Sequence, residues 1–88
     1  MPYIKPERRY QLKIMYINSV PHTAGELNFV VTNIVNNYLF HIKDEKGEYR
    51  YQDLNDVIGA LEGAKLEFYR RVVVPYEEIK RTEHGDVY

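Results

Sequence analysis

The chain has no cysteine and no tryptophan, and it has no run of apolar residues long enough to cross a membrane. The missing cysteine excludes disulfides, thiolate metal sites and cysteine nucleophiles, and it leaves the redox compartment unreadable. The N-terminus, MPYIKPERRY, lacks the apolar stretch of a signal peptide, so a cytoplasmic protein with no membrane partner is expected. Charge of one sign is missing too. Twelve Lys and Arg residues against thirteen Asp and Glu give a net charge of −1, which excludes a surface that coats polyanions. Nucleic acid is therefore not an expected partner, and no nucleic-acid fold signature is present.

What remains is 88 residues, 44% hydrophobic and 28% charged, the balance of a globular chain rather than a disordered one. The length is one small domain over 1–88. A chain this short buries only a modest part of its surface, and many such domains are stabilised by oligomerisation. Nine tyrosines are the unusual count, and tyrosine suits half-buried positions and interfaces because it joins apolar area to a polar tip.

Residues 1–6 read as an extended arm, because Pro2 and Pro6 fix their own backbone and push their predecessors away from helix. A first helix is expected near Pro6, with Glu7 in the first turn and Leu12, Met15 and Tyr16 on one face. The alternation of Tyr10, Leu12, Ile14 and Tyr16 allows a strand instead; helix is favoured. Thr23-Ala24-Gly25-Glu26 has the form of a capping box, followed by an apolar stripe of Leu27, Val30, Val31, Ile34, Val35 and Tyr38. That helix is expected over Ala24 to about Leu39. Residues 40–52 suit either a short hairpin around Gly47 or a helix end followed by a solvated loop.

Tyr51 to Tyr76 reads as one long amphipathic helix, with Asp53 able to cap it. Leu54, Val57, Leu61, Ala64, Phe68 and Val72 repeat at three- and four-residue steps, with Ile58 flanking. Gly59 and Gly63 lie one turn apart. Each costs about 1 kcal/mol against alanine, so they suit a site of close backbone approach, or they simply weaken the helix. Pro75 should kink or stop the helix near Val74. Gly85 should end any continuation, leaving a short tail over 85–88. The expected fold is all-α: two or three helices with a long Pro-kinked C-terminal helix, completed by homo-oligomerisation. The interface would form around Leu54, Val57, Leu61, Ala64 and Phe68, with Gly59 and Gly63.

Two basic clusters carry whatever chemistry is legible. Arg70 and Arg71, with Tyr69 and Lys65, could hold a phosphate through paired hydrogen bonds and stack on a base. Glu67 and Glu62 offer the alternative of helix ion pairs. Lys5, Arg8 and Arg9 with Tyr3, and Lys13 with Tyr10, make a basic arm that could close over a phosphate or simply be solvated. Glu83-His84-Gly85-Asp86 superficially resembles the Glu-x-x-Asp magnesium motif of all-helical nucleotide pyrophosphohydrolases, but such a site needs carboxylates from two facing helices, and with two residues left after Asp86 no helix is expected to orient that group. His22, His41 and His84 lack ligand spacing. No metal, no cofactor and no catalytic set is expected.

Met1-Pro2-Tyr3-Ile4-Lys5-Pro6-Glu7-Arg8, Gly25-Glu26-Leu27-Asn28, Asn55-Asp56-Val57-Ile58-Gly59, Lys65-Leu66-Glu67-Phe68-Tyr69-Arg70-Arg71, Pro75-Tyr76-Glu77 and Gly85-Asp86-Val87-Tyr88 together resemble a family of small proteins of unknown function encoded by bacteriophages, prophages and bacteria. The resemblance runs nearly end to end and departs between Lys13 and Thr23 and around 40–50. It transfers no activity. It implies a setting, a small accessory protein in the cytoplasm of a host cell. In that setting non-enzymatic proteins sequester nucleotide second messengers at subunit interfaces, or bind a host enzyme or a phage assembly partner. The basic residues named above are those a messenger pocket would use.

Overall fold

The computed structural model describes residues 3–15 and 19–85. Among these every regular element is helical. The helices are α1 (Pro6–Ile14), α2 (Ala24–Lys46), α3 (Tyr51–Phe68), a π turn (Tyr69–Val73) and α4 (Val74–His84). The expected face of Tyr16 and the tail from Asp86 lie outside the described residues. By contact the chain divides into two compact units, 1–37 and 38–88.

In the first unit, α1 begins with Pro6 at a position where a missing amide leaves nothing unsatisfied. The Arg9 amide closes the first turn on the Lys5 carbonyl at 2.9 Å. Glu7 in the first turn and Lys13 in the last both complement the helix dipole. The helical spacing of Leu12 and Met15 prevails over the strand alternation. The start of α2 is capped as its sequence implies. The Glu26 amide donates to Thr23 Oγ1 at 3.1 Å, and the Glu26 carboxylate accepts from the His22 amide at 2.7 Å. The reciprocal bond thus reaches one residue further back than the usual box.

In the second unit, the segment that left a hairpin open is helix through Lys46. Leu39 and Ile42 continue the helical pattern, and Lys43 and Lys46 suit the negative end of the dipole. Gly47 stops the helix at φ 86°, a conformation that costs other residues a steric penalty, and its amide donates to the Lys43 carbonyl at 2.7 Å. After a short connection α3 starts at Tyr51, earlier than a cap at Asp53 would place it. Asp53 instead sits inside the first turn and accepts from the Arg50 amide at 2.8 Å. Lys46 Nζ lies 3.9 Å from its other oxygen. One carboxylate therefore ties the end of α2 to the start of α3, and at 6% exposure Asp53 is the only buried residue among those described.

Pro75 does not stop the long helix. Helix runs unbroken from Tyr51 to His84, about 50 Å at 1.5 Å per residue. Proline lacks an amide and its ring would strike the Arg71 carbonyl in a regular α-helix. The chain answers by widening: the Val74 amide donates to the Tyr69 carbonyl, five residues back instead of four. This π turn relieves the clash while keeping the helix continuous. Gly85 then ends α4 at φ 85°, with its amide on the Arg81 carbonyl at 2.8 Å.

Within the second unit α3 and α4 each meet the π turn end to end, and among the described residues no apolar side chain is buried. Ile58 is 65% exposed and Phe68 59% exposed. The helices are thus well capped and poorly packed.

Because Asp53 closes the α2–α3 connection, Asp53→Ala should free the Arg50 amide and fray the first turn of α3. The expected cost is about 1 kcal/mol. Faster amide hydrogen exchange at Arg50 and Asp53, with the rest of α3 unchanged, is the result to look for.

Candidate functional site

The double arginine sits in the π turn, which spans Tyr69, Arg70, Arg71, Val72 and Val73. Pro75 puts it there, since the widened turn must precede the proline. Both guanidiniums converge on Glu67 in the last turn of α3. Arg71 Nε lies 2.7 Å from Glu67 Oε2, and Arg70 Nη2 bonds the other carboxylate oxygen. The Arg71 hydrogen bond is the main reason the Glu67 carboxyl is held below its ordinary value. Partial desolvation opposes it, and the charge of Arg70 assists. One carboxylate shared by two guanidiniums leaves a net positive charge and spare N–H donors. The arginine side chains are 70% and 75% exposed.

The other members of this cluster are held by their own helix. Lys65 Nζ stands 3.6 Å from Glu62 Oε1. Tyr69 is exposed in the π turn. The ion pairs that offered the alternative reading of this cluster are thus present, and they organise the arginines into a fork. In the arm, Arg9 Nε donates to the Ile4 carbonyl at 2.9 Å, and its guanidinium lies 5.6 Å from the centre of the Tyr3 ring. Arg8 Nη1 donates to Gln11 Oε1 at 3.2 Å. Lys5 is exposed just before α1. The arm residues Tyr3, Lys5, Arg8 and Arg9 belong to the first unit, and Lys65, Tyr69, Arg70 and Arg71 to the second. A shallow depression lined by Lys43, Glu48 and Tyr49 uses none of them. The described residues hold no group of three or more His, Asp or Glu side chains placed to bind a metal ion. Asp86, the last residue of the Glu-x-x-Asp pattern, lies outside the described residues.

The apolar face is the larger feature. Leu54, Leu61 and Phe68 are exposed as an interface would have them, and so is Ala64. Val57 is half-buried, whereas Ile58, which the spacing had as a flank, is open. Gly59 and Gly63 have nothing within 4 Å of where a Cβ would stand, so no intrachain crowding accounts for them. At 100° per residue, Gly63 lies half a turn around the helix from Leu54. The glycines and the leucine stripe therefore present two different faces. No helix among the described residues is long and apolar enough to cross a membrane.

Among the described residues the chain is all-helical, with a long unbroken C-terminal helix. Its sequence matches the family model described as a domain of unknown function, DUF6899, over residues 1–87, and the chain belongs to that family. No curated protein and no solved structure matches it.

The Glu67 fork has a testable pH signature. The arginines favour the charged carboxylate, so its folded pKa lies below the unfolded one. The resulting stabilisation is complete above the ordinary carboxylate range and is lost as pH falls through the lowered folded value. A carbon-detected NMR titration should give Glu67 a midpoint below 4.5. Arg71→Ala should move that midpoint upward more than Arg70→Ala does.

Proposed function

We propose that this chain is a non-enzymatic assembly module that acts through protein–protein contact, with a homo-oligomer as its basic form. One observation carries the reading: no described apolar side chain is buried, although the helices are capped and continuous. Helices shorter than about 12–15 residues are marginal alone in water, and most helical stability in proteins comes from packing of the apolar face. A second copy packing on the open apolar face of α3 would supply that stability. The setting implied by the resemblance is a small accessory protein of phage type in a host cytoplasm. There the assembly would block a host enzyme or serve phage assembly.

A second reading rests on the fork at Glu67. Two exposed guanidiniums sharing one carboxylate keep donors free for an anion, and Tyr69 stands beside them. If subunits bring such forks together, the assembly would capture a phosphorylated nucleotide signal through arginine–phosphate bonds and tyrosine stacking, without turnover. The arm residues Tyr3, Lys5, Arg8 and Arg9 would be further donors of the same kind.

Sedimentation equilibrium tests the first reading: a mass above 10.5 kDa at micromolar concentration is expected. Leu61→Asp should weaken the assembly at least tenfold, since it places a charge on the apolar face. A well-folded monomer for the unaltered chain would contradict the assembly. Native mass spectrometry of protein taken from cells with active nucleotide signalling tests the second. A stoichiometric adduct of nucleotide mass, lost in Arg70→Ala and Arg71→Ala, supports capture. Release of a cleaved nucleotide on denaturation would rule out capture without turnover.

A further inference from the structure

Leu54, Ile58, Leu61, Lys65, Phe68 and Val72 follow one another at alternating four- and three-residue steps along α3 and into the π turn, and all six are exposed. That is a heptad seam, the pattern that makes one helix lie along another. It is rotated by one position from a stripe through Val57 and Ala64, because Ile58 is more open than the half-buried Val57. One position in the seam is charged. Lys65 stands where an apolar residue would be expected, and its Nζ lies 3.6 Å from Glu62 Oε1, one turn earlier. A single charged seam position fixes register and orientation in helix pairs, because it is tolerated only where a partner meets it.

Resting on the assembly reading above, we propose that a second copy of this chain closes the seam, lying antiparallel. Leu54 is then level with the partner's Val72, Ile58 with the partner's Phe68, and Leu61 with the partner's Lys65. Orientation follows from charge. A parallel pair sets Lys65 against the partner's Lys65 and Glu62 against the partner's Glu62. The antiparallel pair sets each Lys65 beside the partner's Glu62, on both sides of a two-fold axis that crosses the seam at the level of position 63 along the helix. Register follows from the same contact. Sliding by one heptad keeps the seam but takes Lys65 away from the partner's Glu62 and toward its Leu54.

Self-complementarity favours a second copy as the occupant, because Lys65 and Glu62 of one chain meet Glu62 and Lys65 of the other. An isologous contact also uses the same six residues twice, so the seam needs no second surface elsewhere.

The absence of cysteine makes the test direct, since any introduced thiol is the only one in the chain. Leu54→Cys and Val72→Cys are prepared separately, checked for helicity, and oxidised mildly alone and after mixing under exchange conditions. The antiparallel seam predicts little covalent dimer from either alone and abundant dimer from the mixture. Dimer from each variant alone would overturn the orientation, because positions 54 and 72 lie about 27 Å apart along the helix. If the mixture stays uncrosslinked while sedimentation still reports an oligomer, the seam is not the interface and the assembly reading survives. A monomer by sedimentation overturns both. Lys65→Glu, which leaves the apolar seam intact, should weaken the dimer about tenfold, and Lys65→Glu with Glu62→Lys should restore it. Ile58→Cys mixed with Phe68→Cys repeats the crosslinking test at the next layer, should a variant at 54 or 72 lose its fold.

Discussion

Helix formation satisfies the backbone of this chain, but it leaves the apolar side chains uncovered. Caps at Thr23 and Asp53, glycine stops at Gly47 and Gly85, and the π turn before Pro75 account for the helix ends and the one irregularity. None of them removes an apolar side chain from water. Since most helical stability in proteins comes from burying such a face, everything else about the protein depends on what covers these faces. Among the described residues the only buried side chain is a carboxylate engaged in holding a connection, the reverse of a globular interior.

Within that constraint the irregular feature of the long helix acquires a consequence. Pro75 forces the turn before it to widen, and the widened turn is the one that carries Tyr69, Arg70 and Arg71. Glu67, one turn earlier, then gathers both guanidiniums. A proline that reads as a helix breaker thus serves to place a charged fork in the middle of a rod. The fork is exposed and its charge is only half compensated. It is suited to meet an anion or an acidic side chain of another chain, which are chemically the same event.

Much of this was legible from residue order because it is local. The start of α1 at Pro6, the capping of α2 by Thr23 and Glu26, and the stop at Gly85 each follow from interactions within four residues. The ion pairs of Glu67 and Glu62 follow in the same way, from i,i+3 and i,i+4 spacing. Three features were not legible. The segment around 40–46 alternates as well as it spirals, so its pattern could not choose between hairpin and helix. The π turn is an answer to a clash, and the clash alone does not say whether a helix stops or widens. That Ile58 stands more open than Val57 is a matter of exposure, which three- and four-residue spacing does not give.

The sequence by itself determined an all-helical chain, its caps and stops, and the pairing of neighbouring charges, because hydrogen bonds and side-chain contacts along one helix reach only a turn or so. Only the structure in space decided that the helix widens at Pro75 instead of stopping, and that Asp53 is buried as the tie between α2 and α3. Each is a choice between conformations that the same residue spacing allows, settled by where the backbone and side chains come to stand.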